Sequence, residues 1–251
     1  MGALHAGHIA LVEQARTQTD VVVSTIFVNP AQFNNPDDLA RYPRTLEADC
    51  AMLEAAGCDI VFAPAVDEIY AEPPTIRFSF GDLETVMEGA FRPGHFHGVG
   101  LVVSKLFNIV QPHRAFFGQK DLQQVAVIRR LIRDLNFPID LVRCATVREA
   151  DGLAMSSRNR LLSETEREQA PAIFTALTLA QDLLREGQST SQAKASVTGF
   201  FNSRPGFRLE YVEIADADTL MPANEVLAPG QTAICIAAYL GTTRLIDNLV
   251  F

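Results

Sequence analysis

VVVSTIFV, residues 21–28, determines the fold prediction for this chain, because a β-branched run of this kind is typical of a buried parallel strand. Asn29-Pro30 ends the run. A helix is predicted from an N-cap at Thr45 to a stop at Gly57, and CDIVFAP (58–64) then forms a second short strand. This order of strand, helix and strand predicts a parallel sheet with ligand loops at the carboxyl ends of its strands.

The alternation continues further along the chain. We expect a helix over 99–110, a strand over 114–119, a helix over 121–135 and a strand over 140–147. The predicted fold class is therefore α/β, with a parallel sheet in an N-terminal domain of residues 1–147.

The pattern changes after about residue 148. Ser163 and Glu166 fit a capping box that starts a helix to about Glu186, and a second helix runs to about Asn202. Three strand-like stretches end the chain, with a tight hairpin near Gly241 between the last two: residues 207–215, 232–240 and 242–251. These elements predict a smaller α+β C-terminal domain of residues 148–251.

The composition excludes several classes of protein. A chain of 251 residues that is 48% hydrophobic and 20% charged can bury a core, and its net charge of −9 argues against general nucleic-acid binding. No apolar run is long enough for a membrane span, and the first residues lack the pattern of a secretory signal. The four scattered cysteines favour reduced thiols. We expect a cytoplasmic protein with no nucleic-acid or membrane partner.

Two histidines stand at the start of the first predicted helix. In MGALHAGH, residues 1–8, His5 and His8 are one helical turn apart on one face. Free backbone N–H groups and the helix dipole attract anions there, and Gly7 lets a ligand approach the backbone. We expect the phosphates and ribose of a nucleotide. The alternative is a helix start with two incidental surface histidines, and zinc is disfavoured because no third ligand stands at a usual spacing.

FVNPAQF, residues 27–33, follows the first strand directly. We expect Asn29 and Gln32 to point into the crevice at the end of the strand, where amides would orient hydroxyl and carboxylate groups. The alternative interpretation is an ordinary polar turn.

FGQKDLQQ, residues 117–124, combines several polar groups at a predicted turn from strand to helix. Gly118 permits a tight turn, Lys120 offers a charge for phosphate, and Asp121 could accept from ribose hydroxyls. The alternative is structural, because Asp121 and Gln124 also fit a capping box.

MSSRN, residues 155–159, places two hydroxyls and a guanidinium on one segment. On a mobile loop, these groups would suit a pyrophosphate leaving group. The alternative is an ordinary polar loop.

The joint order of these motifs resembles that of pantothenate synthetases. H-x-G-H, N-P-x-Q-F, G-Q-K-D-x-Q-Q, T-V-R-E (146–149) and M-S-S-R-N follow that family's order over essentially the whole chain. Y-P-R-T (42–45) and R-P-G-H-F (92–96) also lie where the family would place them. More loosely, H-x-G-H with a later M-S-S-R is similar to the signatures of the nucleotidylyltransferase superfamily, shared with class I tRNA synthetases.

The resemblance implies a reaction and its partners. Pantoate would condense with β-alanine through an enzyme-bound pantoyl-adenylate, with ATP converted to AMP and pyrophosphate. Mg²⁺ would accompany ATP, held mostly by phosphate oxygens and water, with no protein metal site. The family is usually homodimeric, with a Rossmann-like domain and a smaller C-terminal domain.

The resemblance also implies roles for individual residues. His8 would be the proton donor, with His5 and Lys120 as further catalytic donors. Gln32 would contact both pantoate and β-alanine, and Gln124 would contact pantoate. The ATP-binding residues would be Met1, Gly2, Ala3, Leu4, His5, Ala6, Gly7, His8, Gly118, Gln119, Lys120, Asp121, Val147, Met155, Ser156, Ser157 and Arg158.

The chain departs from the family pattern at its start. Family members normally have a helix and a first strand, with Pro-Thr at its end, ahead of H-x-G-H, whereas here Met1 already belongs to the motif. We therefore expect the first strand of the N-terminal sheet to be missing, either because an upstream start was missed or removed, which we favour, or because this protein works without the strand. The sheet should show a gap beside residues 21–28, or have it filled by another segment, and Met1–His8 should be poorly held.

Two other classes of protein remain as alternatives. One is a related transferase that adenylylates a phosphorylated substrate, and the other is a non-catalytic nucleotide sensor with the same fold. The amides of Gln32 and Gln124 favour an uncharged dihydroxy acid tail over a phosphorylated one. The retained His, Lys and M-S-S-R donors disfavour a sensor.

Overall fold

The computed structural model describes residues 1–33, 39–40 and 42–251. By their internal contacts the residues form two compact units. Unit 1 is Met1–Gly118 with Gln123–Ala145, and unit 2 is Gln119–Leu122 with Thr146–Phe251. The short segment Gln119–Leu122 thus groups with the C-terminal part of the chain. The domain boundary at residue 147 stays a prediction.

Unit 1 has the predicted α/β character. Its helices, among the described residues, are α1 (Ala6–Arg16), α2 (Leu46–Ala55), α3 (Val66–Ile69), α4 (Met87–Phe91), α5 (His95–Val110) and α6 (Leu122–Asp134), of which α6 begins in unit 2. Its strands are β1 (Val23–Thr25), β2 (Ile60–Phe62), β3 (Arg114–Gly118) and β4 (Asp140–Cys144). The α5 helix begins four residues earlier than expected, directly after Gly94 in a left-handed conformation.

The parallel strands of unit 1 form two separate pairs. In the part of the chain that the structure describes, β1 pairs with β2 and β3 pairs with β4. The sequence predicts an interruption beside residues 21–28. On the edge of β1 opposite β2, the Met1 amino group donates to the Thr25 carbonyl at 2.8 Å, and the Met1 carbonyl accepts from the Phe27 N–H at 3.0 Å. Met1 therefore satisfies backbone groups at that edge.

The expectation that Met1–His8 is poorly held is wrong. The backbone N–H groups of Ala3 and Leu4 donate to the Asp49 carboxylate at 2.9 and 2.8 Å. Ala3 has a positive φ of 50°, and this conformation turns two successive N–H groups toward one acceptor. Asp49 in α2 is only 2% exposed. The prediction failed because a buried carboxylate 45 residues away from Leu4 along the chain supplies the anchor.

Asp49 also changes the predicted start of α2. Thr45 stands at the N-cap position, but its side chain makes no capping bond. Its hydroxyl donates to Asp49 Oδ1 at 3.0 Å instead. Gly57 follows the end of the helix with a φ of +75°, as its assignment as a stop requires.

Unit 2 contains helices α7 (Glu164–Gln169), α8 (Ala172–Arg185) and α9 (Thr190–Asn202). The predicted capping box of Ser163 and Glu166 is confirmed at the start of α7. The single helix expected to reach Glu186 is instead divided at Pro171, which lacks the N–H that would continue the helix.

The three predicted strands at the end of the chain form an antiparallel sheet in unit 2. They are β5 (Phe207–Asp216), β6 (Thr232–Leu240) and β7 (Thr243–Val250), in that order, with a turn at Gly241. The sheet packs its apolar face on α8 and α9, burying side chains such as Leu177, Val197 and Ile234. Among the described residues, no helix is long and apolar enough to cross a membrane.

Candidate active site

The two histidines of the first motif lie together at the start of α1. Their ring centroids are 4.0 Å apart with an interplanar angle of 42°. His5 is the N-cap and accepts from the Gly7 N–H through Nδ1 at 3.2 Å, while His8 accepts from the His5 N–H through Nδ1 at 3.3 Å. An acceptor Nδ1 carries no proton, so each neutral ring carries its proton on Nε2.

This capping changes which groups can donate hydrogen bonds to an anion at the start of α1. The Gly7 N–H is taken by the His5 ring, and the His8 N–H donates to the His5 carbonyl at 2.8 Å. The expectation of free backbone N–H groups is therefore wrong for these two residues. The Nε2–H groups of His5 and His8 are the donors suited to an anion at this helix start.

Asn29 has a structural role, contrary to the expectation that it points toward a ligand. It is 2% exposed, and its Oδ1 accepts from the Ala31 N–H at 3.2 Å and from the Tyr70 hydroxyl at 2.8 Å. Its Nδ2 donates to the Gly98 carbonyl at 3.1 Å. Burial raises the pKa of Tyr70 to about 12, so the phenol stays protonated and can donate. The side chain of Asn29 thus fixes the turn that carries Gln32.

Gln32 is half-buried at the end of this turn. Its carbonyl oxygen accepts from His95 Nδ1 at 2.8 Å, and its side-chain Oε1 accepts from Asn29 Nδ2 at 3.3 Å. Arg92 and His95 belong to the R-P-G-H-F motif, and the Arg92 guanidinium lies 3.2 Å from His95 Nε2. The motif therefore supports the backbone of Gln32.

Gln123 and Gln124 have different environments although they are adjacent. Gln123 is buried, accepts from the Glu88 N–H at 2.8 Å, and donates to the carbonyls of Leu83 and Val86 at 2.7 and 2.9 Å. Gln124 is half-buried, and no hydrogen bond joins its side chain to any residue that the structure describes. The capping-box bond from Gln124 back to Asp121 is therefore not formed.

Lys120 lies in a 3₁₀ turn, Gln119–Asp121, that belongs to unit 2. Its side chain is 17% exposed, and Nζ lies 4.0 Å from the exposed Asp121 carboxylate. Asn248 on β7 donates to the carbonyl oxygens of Gln119 and Lys120, each at 2.9 Å. The turn is thus bound to the C-terminal sheet through its backbone.

The M-S-S-R segment of unit 2 forms a 3₁₀ turn, Ser157–Leu161. Ser156 caps it by accepting from the Arg158 N–H at 3.3 Å, and Ser157 is buried. Just ahead of the turn, the Met155 N–H donates to the Val147 carbonyl at 3.0 Å. The backbone at Val147 is therefore fixed relative to this turn.

Arg148 and Asp247 form an ion pair that the sequence did not reveal. Arg148 donates to both carboxylate oxygens at 2.5 and 3.1 Å, and to the Gly152 carbonyl at 3.1 Å. Its guanidinium also lies over the Phe174 ring, 4.1 Å from the centroid. Burial raises the pKa of Asp247 above its usual value, and Arg148 opposes that shift.

The residues missed by sequence reasoning are Asp49, Asp247 and Asn248. All three are buried polar side chains whose partners lie far away along the chain. The available signal was weak, since an Asp or Asn inside an apolar stretch only indicates that some partner must exist.

The described residues contain no group of three or more His, Cys, Asp or Glu side chains that could hold a metal ion. Within unit 1 the structure brings together His5 with His8, and Gln32 with its supporting residues. Within unit 2 it joins Lys120 to β7, and Val147 to Met155.

This fold and these motifs define an α/β protein of the H-x-G-H and M-S-S-R class. The model of the pantoate-beta-alanine ligase family matches residues 1–250. A pantothenate synthetase from Bacteroides fragilis is 49% identical over 251 residues, covering 100% of this chain and 89% of that protein. The chain belongs to the pantoate-beta-alanine ligase family.

Solved structures give the same result. The crystal structure of pantothenate synthetase from Thermus thermophilus is 46% identical with a TM-score of 0.95, and the match covers 100% of this chain and 90% of that one. A pantoate-beta-alanine ligase from Francisella tularensis, complexed with beta-gamma ATP and beta-alanine, is 34% identical with a TM-score of 0.79. That match covers 100% of this chain and 87% of the other.

Proposed function

We propose that this chain joins pantoate to β-alanine through an enzyme-bound pantoyl-adenylate. The overall reaction follows from family membership: the chain is a ligase that condenses pantoate with β-alanine in an ATP-dependent reaction. In the first step a pantoate carboxylate oxygen attacks the α-phosphorus of ATP, and pyrophosphate leaves. In the second step the β-alanine amine attacks the acyl carbon, loses a proton, and AMP leaves.

The observation that carries the proposal is the pair of hydrogen bonds that the two histidine rings in unit 1 accept from backbone N–H groups, since these bonds set the tautomers. Negative charge grows on the phosphoryl oxygens and on departing pyrophosphate, and donors held in place before the reaction stabilise it. His5 and His8 are fixed through Nδ1, so that Nε2–H is the donor of each neutral ring. His8 is the proposed proton donor to the developing charge, with His5 and Lys120 as further donors.

The proposed ATP contacts are distributed over segments of both units. Asp121 would accept from the ribose hydroxyls, because its carboxylate is exposed and makes no capping bond with Gln124. Val147 would use its N–H or the second lone pair of its carbonyl for adenine, since Met155 N–H occupies the first. The full proposed set is Met1–His8 and Gly118 in unit 1, and Gln119–Asp121, Val147 and Met155–Arg158 in unit 2.

The proposed substrate residues are Gln32 and Gln124. Gln32 would contact both pantoate and β-alanine, and Gln124 would contact pantoate. Supporting this assignment, the Gln124 amide is not engaged by the described residues, whereas the neighbouring Gln123 amide is fully used. A transferase for a phosphorylated substrate would call for additional Arg or Lys side chains.

Mg²⁺ would arrive as the Mg-ATP complex, held by phosphate oxygens and water. We also propose a homodimer that works in the cytoplasm. Sedimentation should then give twice the 27.5 kDa of one chain.

An isotope experiment tests the adenylate directly. Pantoate labelled with ¹⁸O in its carboxylate is incubated with β-alanine and Mg-ATP. Because the attacking oxygen stays on phosphorus when AMP leaves, we expect ¹⁸O in AMP and unlabelled pyrophosphate. Release of ADP with ¹⁸O in inorganic phosphate would overturn the proposal in favour of an acyl phosphate.

A further inference from the structure

Asn248 on β7 makes three side-chain hydrogen bonds to a single two-residue segment. Its Nδ2 lies 2.9 Å from the Gln119 carbonyl oxygen and 2.9 Å from the Lys120 carbonyl oxygen. Its Oδ1 accepts from Gln119 Nε2 at 3.4 Å. The side chain is buried, with the residue 3% exposed, so these bonds form away from competing water.

The geometry of the peptide bond makes these contacts directional. In a planar trans peptide the N–H points opposite to the C=O of the same unit, and the structure has no cis peptide in its described residues. When Asn248 binds the carbonyls of Gln119 and Lys120, it turns the N–H groups of Lys120 and Asp121 away from β7. Two successive N–H groups facing one side are suited to an anion, and the Lys120 side chain extends from the same turn.

The strand that carries Asn248 is itself held at this point. Asp247 Oδ1 accepts from the Asn248 N–H at 2.8 Å, and Arg148 Nη2 donates to the Asn248 carbonyl at 3.1 Å. Arg148 also binds the Asp247 carboxylate with two hydrogen bonds. The backbone of Asn248 is therefore held by the Arg148–Asp247 ion pair, while its side chain binds the Lys120 turn. Because the backbone is held, Asn248 resists a displacement of the turn.

We propose that Asn248 is a positioning residue for phosphate binding, acting through the backbone orientation of the Lys120 turn. The inference rests on the proposed function, since it requires Lys120 to act on ATP. Asn248 does not touch substrate in this role. It fixes the direction of the donors that do, so its loss should weaken ATP use without changing the handling of β-alanine.

The test uses Asn248→Asp, which keeps the size and Oδ1 but replaces the donating amide with an oxygen that faces two carbonyl oxygens. The matched control is Glu210→Gln, which removes the charge from the half-buried Arg244–Glu210 pair between β5 and β7 away from the turn. For Asn248→Asp we expect the KM for ATP to rise by about 10-fold or more and single-turnover adenylate formation to fall by about 10²-fold. The KM for β-alanine at saturating ATP should stay unchanged, and Glu210→Gln should change none of these values.

A double variant separates the inference from the proposed function. If Asn248 and the Lys120 side chain act on phosphate through the same turn, Asn248→Asp should slow adenylate formation by a smaller factor in Lys120→Ala than in the unmodified enzyme. Two results would overturn the positioning role. One is slow adenylate formation in Lys120→Ala together with a normal rate in Asn248→Asp. The other is a rate in the double variant that falls by the product of the two single effects. A normal Lys120→Ala would overturn the proposed role of Lys120 and the inference with it. If circular dichroism shows that Asn248→Asp is unfolded, Asn248→Ser, which has one donor, replaces it and must show the same rise in KM for ATP.

Discussion

Gly98 in α5 contacts the backbone of Ala31 directly. A Cβ added to Gly98 would lie 2.1 Å from the Ala31 carbonyl oxygen and 2.4 Å from its carbonyl carbon. Atoms cannot approach so closely, so only glycine permits this packing. The contact sets the position of the turn that carries Gln32, and it makes a helix glycine part of the support for the proposed substrate site.

Gly98→Ala should therefore displace the Gln32 turn. We expect a stability loss of roughly 1–3 kcal/mol from overpacking, together with higher KM values for pantoate and β-alanine. The control is Gly199→Ala in α9, where nothing lies within 4 Å of the added Cβ. That variant should gain about 0.5–1 kcal/mol and keep its kinetics. Unchanged KM values in Gly98→Ala would contradict the supporting role.

The adjacent pair Gln123 and Gln124 offers a second matched test. Gln123→Ala would remove the acceptor of the Glu88 N–H and the side-chain donor to the Leu83 carbonyl, and each lost hydrogen bond to a buried group costs about 1–3 kcal/mol. Gln124→Ala should leave the melting temperature nearly unchanged but raise the KM for pantoate. Thermal denaturation and steady-state kinetics on both variants check this. A destabilised Gln124→Ala with normal pantoate kinetics would favour a structural role.

Asp49 should anchor Met1–His8. Asp49→Asn places an amide donor where an oxygen now accepts from Ala3, Leu4 or Thr45, so we expect a loss of about 1–3 kcal/mol in the free energy of unfolding. The amides of Ala3 and Leu4 should exchange hydrogen faster, and ATP affinity should fall. Glu47→Gln, an exposed change in the same helix, is the control. Unaltered exchange at both amides would show that Asp49 is not the anchor.

Cys144 should be unreactive at neutral pH. Burial raises the pKa of this thiol to about 11, so its thiolate fraction at pH 8 is about 10⁻³. Cys50 and Cys58, which are partly exposed, should react first with a thiol reagent. Because the folded-state pKa exceeds the ordinary value of 9.0, the thiol contributes stability that is present below pH 9 and lost as the pH rises toward 11. Peptide mapping after labelling at pH 8 and pH 10 checks the order.

Local patterns predicted the elements whose causes are local. The β-branched run around β1, the capping box at Ser163 and the hairpin at Gly241 all depend on neighbours within a few residues, and all three are present. Pro171 also stands inside the helix that was predicted to run from Ser163 to about Glu186. The strong helical pattern on both sides of this proline outweighed it in the prediction.

The supports of the candidate site could not be predicted in the same way. Asp49 binds Leu4 from 45 positions away, and Asn248 binds Lys120 from 128 positions away. A hydrogen bond of this kind produces no periodic pattern in the sequence, because only the fold brings its two partners together. Motifs therefore indicated Lys120, His5 and Gln32, while the distant supports Asp49 and Asn248 appeared only in the structure.

The capping role of the His5 and His8 rings has a consequence for titration. A second proton on either imidazole would convert Nδ1 from acceptor to donor. The new Nδ1–H would then face the backbone N–H group that now donates to Nδ1. Acidification would thus add positive charge for phosphate and fray the first turn of α1 in the same event. In ¹⁵N spectra recorded at decreasing pH, the signal of the unprotonated Nδ1 should disappear over the same pH range in which the Gly7 amide signal broadens. The charge of the ring and the order of the first helical turn would then change in a single transition.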